Sequence, residues 1–227
     1  MPRCLKRLEE RGSLVSDGSL EPVPWSSYEM SGSNIEKRIA LVRHAQTDWN
    51  AAGRWQGHAD PPLSRVGEDQ AQRLGERLAS APADVLIASD LRRALQTAAP
   101  LAEAWGIEII EDPRLRELDV GLWSGQTRSE IEERDPETLA AFEAGGPDVR
   151  PGGGESRRSI RDRAHSAMAD WVRRVPEGRL VVVTHLGFIL ALLPGEEVGN
   201  ASVLEVTEED LLTRRRLQDE VDAGRVL

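Results

Sequence analysis

Short apolar runs at residues 39–42, 85–88 and 180–183 constrain this chain more than any other feature. Each is only four residues long, too short for a buried helix and suited to a strand covered on both faces. A further run at 107–110 and a weaker one at 202–206 extend the series. Between them the apolar period changes to that of a helix: Val66, Ala71, Leu74 and Leu78 recur at helical spacing, as do Leu91, Leu95, Ala98, Ala102 and Trp105. Residues 129–144 and 156–175 read as longer helices. Strands alternating with helices predict an α/β chain, a three-layer α/β/α sandwich with a mostly parallel central sheet.

The other segments are read by composition. Residues 1–37 are rich in Ser, Gly, Pro and charge without sustained periodicity, and are expected to be a disordered extension, with a short helix open at 5–11. One domain is expected over residues 38–227, its last part (208–227) a helical tail whose Arg214-Arg215-Arg216 run reads as a solvated face. No apolar run approaches the roughly 18–20 residues that span a bilayer, and the charged first ten residues lack the apolar stretch of a signal peptide. The cytoplasm is the expected compartment, with no membrane partner. Cys4 is the single cysteine, which excludes an internal disulfide and a cysteine-built zinc site. A formal charge of −10 argues against a nucleic-acid partner, which needs a basic face. It does not argue against a small anionic ligand, because a few arginines can focus a positive field locally.

In a parallel sheet, ligands collect beyond the carboxyl ends of the strands. The first run ends in Arg43-His44, the second in Ser89-Asp90 and the fourth in Thr184-His185. Two of the four histidines are thus expected on one rim. Transfer of a phosphoryl group to an imidazole needs a neutral histidine, cations on the non-bridging oxygens and an acid for the leaving oxygen. His44, His185, Arg43 and Arg93 could supply the first two requirements, arginine being suited by its planar, permanently charged fork. Glu117 is a candidate acid, in competition with Asp119 and Glu111. His58 and His165 read as structural or exposed, and Trp49, Trp55 and Trp123 as packing residues.

At this point the chain resembles the histidine phosphatase superfamily (phosphoglycerate-mutase-like), over about residues 38–207. Arg43-His44-Ala45-Gln46-Thr47-Asp48-Trp49-Asn50 is similar to its Arg-His-(Gly/Ala)-x-Thr-x-x-Asn signature. Residues 56–64 resemble its Gln-Gly-x-x-Asp-x-Pro-Leu-Ser turn, and 89–98 its Ser-x-Leu-x-Arg-Ala-x-Gln-Thr-Ala helix start, where the register selects Arg93 over Arg92. Residues 115–125 resemble the acid-bearing segment, 153–156 the Gly-Gly-Glu-Ser marker, and Val183-Thr184-His185-Leu186-Gly187 the closing histidine motif.

The resemblance implies a metal-independent phosphatase acting on a small-molecule phosphomonoester through a phosphohistidine on His44, with no cofactor. It implies that Arg43, Arg93 and His185 hold the phosphate, that Asn50 and Gln56 assist, and that Glu117 is the proton donor. A homodimer is left open. So are two other readings: a phosphoglycerate mutase, and a non-catalytic phosphate-binding member. The mutase branch carries a tyrosine-containing segment near the acid, whereas the single tyrosine here is Tyr28 in the extension. Leu186 and Leu190 depart from the family pattern, which has Gly after the closing histidine and often Arg in the helix that follows. Leu122 departs at an often acidic position, and the stretch 193–200 is short.

Overall fold

A computed structural model describes residues 37–211; residues 1–36 of the extension and most of the expected C-terminal tail lie outside the described residues. Strands β1 (Arg38–Arg43), β2 (Val85–Ala88), β3 (Ile109–Glu111), β4 (Arg179–Thr184) and β5 (Val203–Thr207) form one sheet in the order β3-β2-β4-β1-β5. The pairs β2–β3, β2–β4 and β1–β4 are parallel, and β5 runs antiparallel to β1. The mostly parallel sheet is therefore as the sequence implies, with one reversed edge strand.

Successive side chains of a strand point to opposite faces, so a doubly covered strand needs apolar residues at every position. In β1, Ile39 and Leu41 join the core on one face while Ala40 and Val42 join that on the other; in β4, Leu180 and Val182 part from Val181 and Val183 in the same way. All eight are at most 1% exposed, and each large aliphatic side chain so buried contributes roughly 1.5–3 kcal/mol. Helices α2 (Arg65–Leu78) and α3 (Arg92–Trp105) cover one face, through Leu74, Ala94 and Leu101. Helices α6 (Arg157–Arg174) and α7 (Leu186–Leu192) cover the other, through Met168, Phe188 and Ile189.

Two expectations need correction. The helix expected over residues 129–144 is two helices, α4 (Arg128–Arg134) and α5 (Pro136–Glu143). Pro136 has no amide hydrogen and disfavours the helical conformation at Asp135, so a new helix starts at the proline. Asp135 takes φ −145° and ψ 55° at the junction. The apolar residues stay in phase across the break: Ile131, Leu139 and Phe142 are all buried in one core. The strand expected over 107–110 instead starts at Ile109, because α3 and its C-cap Gly106 run up to Ile107.

Candidate active site

The parallel strands β1, β2 and β4 end together, and the chain leaving each one brings a polar residue to that edge. His44 follows β1, its amide donating to Thr184 O at 2.8 Å. His185 follows β4 as the N-cap of α7. The two imidazoles are neighbours, with centroids 5.1 Å apart and planes at 56°. Arg93 enters from the first turn of α3, completely buried, while its neighbour Arg92 is solvent-exposed. The register that selects Arg93 is thus the one that the fold buries.

His44 is 2% exposed, and its Nδ1 lies 2.7 Å from Ala45 O. A carbonyl oxygen can only accept, so Nδ1 carries the proton and Nε2 keeps its lone pair. Burial, reinforced by the charges of Arg93 and Arg43, pushes the His44 pKa down to about 3. The imidazole is therefore neutral and nucleophilic over the whole physiological range. Burial likewise holds His185 well below the ordinary histidine value, with Arg93 and His44 adding to the effect.

The cations are braced by backbone. Arg43 Nη1 donates to Val198 O at 2.7 Å. Arg93 donates from Nη1 to Ala59 O at 2.7 Å and from Nη2 to Gly57 O at 2.9 Å. Burial lowers Arg93 to about 10, which still leaves it charged. Polar atoms are left over at the same place: Arg43 Nε, Arg93 Nε, Gln56 Oε1 and both ring nitrogens of His185 are buried without a partner. Such groups are costly inside a protein and rare, and these leave hydrogen-bonding capacity unmet around His44.

Glu117 reaches the site from the segment after β3. Its Oε1 accepts from the amides of Leu118 at 2.8 Å and Gly187 at 2.9 Å. Asn50 and Gln56 also line the cleft. Asn50 is engaged locally, its Oδ1 accepting from the Thr47 amide at 3.0 Å in a capping box around the short helix α1 (Asp48–Ala51). Six of the seven expected site residues line one cleft of about 900 Å3, and the seventh, His185, is fully buried beside His44. Trp55, Val120, Phe142, Leu186 and Leu190 also line the cleft.

Some supporting residues were not singled out in the sequence, although Thr97 lies within the motif at 89–98. Thr97 receives the Ala45 amide at 2.9 Å and itself donates to Arg93 O at 2.7 Å, tying the His44 turn to α3. Asn200 donates to His44 O at 3.0 Å. Arg163, on α6, donates to Arg114 O, Arg116 O and Glu117 O at 2.7, 2.8 and 3.2 Å and pairs with Glu155 at 2.6 Å. It fixes the backbone that carries Glu117. Of the histidines read as structural or exposed, His165 is buried within α6, and exposed His58 places Nε2 2.9 Å from Glu117 O.

A mostly parallel sheet with two adjacent histidines, a buried Arg93 and a half-buried Arg43 at its carboxyl edge defines the class as the histidine phosphatase fold. Residues 39–200 match the model of the histidine phosphatase superfamily (branch 1), and the chain belongs to that family. It is 37% identical over 161 residues to a probable phosphoglycerate mutase of Salmonella paratyphi C, covering 70% of this chain and 75% of that protein. It is equally identical, over 148 residues, to phosphoserine phosphatase 1 of Hydrogenobacter thermophilus, covering 65% of this chain and 70% of the other. Among solved structures, a mycobacterial glucosyl-3-phosphoglycerate phosphatase with VO3 superposes with a TM-score of 0.69 at 34% identity, over 75% of this chain and 90% of that one. No helix among the described residues is long and apolar enough to cross a membrane.

Proposed function

We propose that this protein is a phosphatase that hydrolyses small-molecule phosphomonoesters through a phosphohistidine on His44, without a metal ion. The observation that carries this reading is the orientation of His44, whose Nδ1 is engaged with Ala45 O so that Nε2 is the free nucleophile. In the first step Nε2 forms a bond to phosphorus while the ester P–O bond breaks, and the leaving oxygen takes a proton from the Glu117 carboxyl. In the second step water attacks the phosphohistidine, gives its proton to Glu117, and the N–P bond breaks to release phosphate. Arg43, Arg93 and His185 bind the non-bridging oxygens, and charge-assisted donors of this kind stabilise the charge that builds on them. The unpartnered Nε atoms of both arginines and the ring nitrogens of His185 support that role. Asn50 and Gln56 complete the phosphate-binding wall.

A second reading, phosphoglycerate mutase, rests on the name of the Salmonella relative. The two readings differ in where the phosphoryl group goes, to water or to a second hydroxyl. Phosphate release from a panel of phosphomonoesters in the presence of EDTA tests the proposal. Turnover that survives EDTA is expected. Faster interconversion of 2- and 3-phosphoglycerate than phosphate release would favour the mutase, and activity abolished by EDTA and restored by a metal would overturn the metal-independent chemistry.

A further inference from the structure

Five arginines line the cleft, and two of them, Arg43 and Arg93, lie beside His44. Arg54 is engaged with Glu130 at 2.9 Å. The remaining two, Arg157 and Arg161, lie one turn apart in the first two turns of α6. Arg157 is exposed at the rim, yet it is held: its guanidinium stands 4.0 Å from the centre of the Phe142 ring, and Nη2 donates to Phe142 O at 3.3 Å. No carboxylate among the described residues lies within ion-pair distance of it, although neighbouring Arg158 and Arg163 both have acidic partners. Phe142 in turn packs on Trp55 and Trp123, at 5.8 and 6.0 Å between centroids, so the platform under Arg157 is rigid.

Resting on the proposed phosphatase activity, we propose that Arg157 reads the leaving group by binding a second anionic substituent, a carboxylate or a second phosphate, at the mouth of the cleft. The rest of the lining explains why such a contact would discriminate. Val120, Phe142, Leu186 and Leu190 line the same cleft with side chains that cannot hydrogen-bond a polar chain, and Trp55 adds an indole with a single N–H donor. The leaving group that fits has an apolar or aromatic body and a charged end. An arginine already stacked on an aromatic ring loses little freedom when it engages such an anion in its planar fork.

The test is a comparison of matched ligands with the wild type and Arg157→Gln. The substrate pairs are phenyl phosphate against the phosphate ester of 4-hydroxyphenylacetate for a carboxylate, and phenyl phosphate against hydroquinone bisphosphate for a second phosphate. The wild type should prefer the ester with the extra anion in at least one pair, and Arg157→Gln should reduce that ratio of kcat/KM by about 10-fold or more, as expected for a lost charge-assisted hydrogen bond. Arg157→Lys should keep part of it. Intrinsic reactivity and any folding defect cancel in the ratio. Calorimetric binding of benzylphosphonate and 4-(phosphonomethyl)benzoate gives the carboxylate comparison without turnover, so a failure of the phosphatase reading is distinguishable from a failure of this one. Equal ratios in wild type and Arg157→Gln for both pairs, with equal phosphonate affinities, would overturn the proposal.

Discussion

Glu117 and Gly187 are joined by a hydrogen bond of 2.9 Å from the Gly187 amide to Glu117 Oε1, and a Cβ on Gly187 would lie 2.3 Å from that oxygen. The close approach that the closing histidine motif protects is therefore at residue 187. The departure at Leu186 leaves it intact, because that side chain instead packs on the core and lines the cleft. Gly187→Ala should push the carboxyl out of place. Phosphatase activity on alkyl phosphates, which need the proton, should fall about 10–100-fold more than activity on aryl phosphates with good leaving groups. Glu117→Gln should show the same leaving-group pattern. Equal losses for both ester types would argue against Glu117 as the acid.

The neutrality of His44 has a consequence for stability. Its folded pKa is about 3 against 6.5 when unfolded, so between these values the unfolded chain binds a proton that the folded chain does not. Stability must then rise with pH in this window: the contribution is fully present above pH 6.5 and is lost as pH falls towards 3. His44→Gln, neutral throughout, should flatten the dependence of unfolding free energy on pH between 4 and 6 by up to about 1.4 kcal/mol per pH unit. Urea unfolding over a pH series measures this, and parallel curves for the two proteins would contradict it.

Arg163 should matter to the acid segment out of proportion to its place on a polar helix. Arg163→Ala leaves the Arg114 and Arg116 carbonyls without their donor, Glu117 O with His58 alone, and Glu155 without its partner. We expect a loss of about 2–3 kcal/mol in unfolding free energy. Arg163→Lys should recover little, since a point donor cannot replace a fork that serves four groups. A fall in stability below 0.5 kcal/mol for Arg163→Ala would show that the segment is fixed by other contacts.

The sheet was legible because β1, β2 and β4 are buried on both faces and so cannot be anything but short apolar runs. Arg93 was legible for a similar reason: the motif register and burial select the same member of the Arg92-Arg93 pair. The break at Asp135-Pro136 was hidden because the apolar residues on either side keep helical phase, and the proline was the signal that outweighs them. Arg163 was hidden for another reason, since its partners are backbone carbonyls of a distant segment and carbonyls have no residue type. The Gly-Gly-Glu-Ser marker was legible only as a pattern; a Cβ at Gly154 would fall 2.2 Å from Asp119 O, so this loop lies directly against the acid-bearing turn. Its glutamate, Glu155, then supplies the carboxylate that orients Arg163.

Trapping the phosphoenzyme tests most directly whether phosphate passes through His44 Nε2. A phosphohistidine is labile in acid and stable in alkali, so turnover of a 32P-labelled phosphomonoester should be stopped with alkaline denaturant and the labelled peptide identified. An alkali-stable, acid-labile label is expected on the peptide that contains His44, with neither label nor turnover in His44→Ala. Turnover without a trapped label, a label on any other residue, or measurable activity in His44→Ala would contradict it.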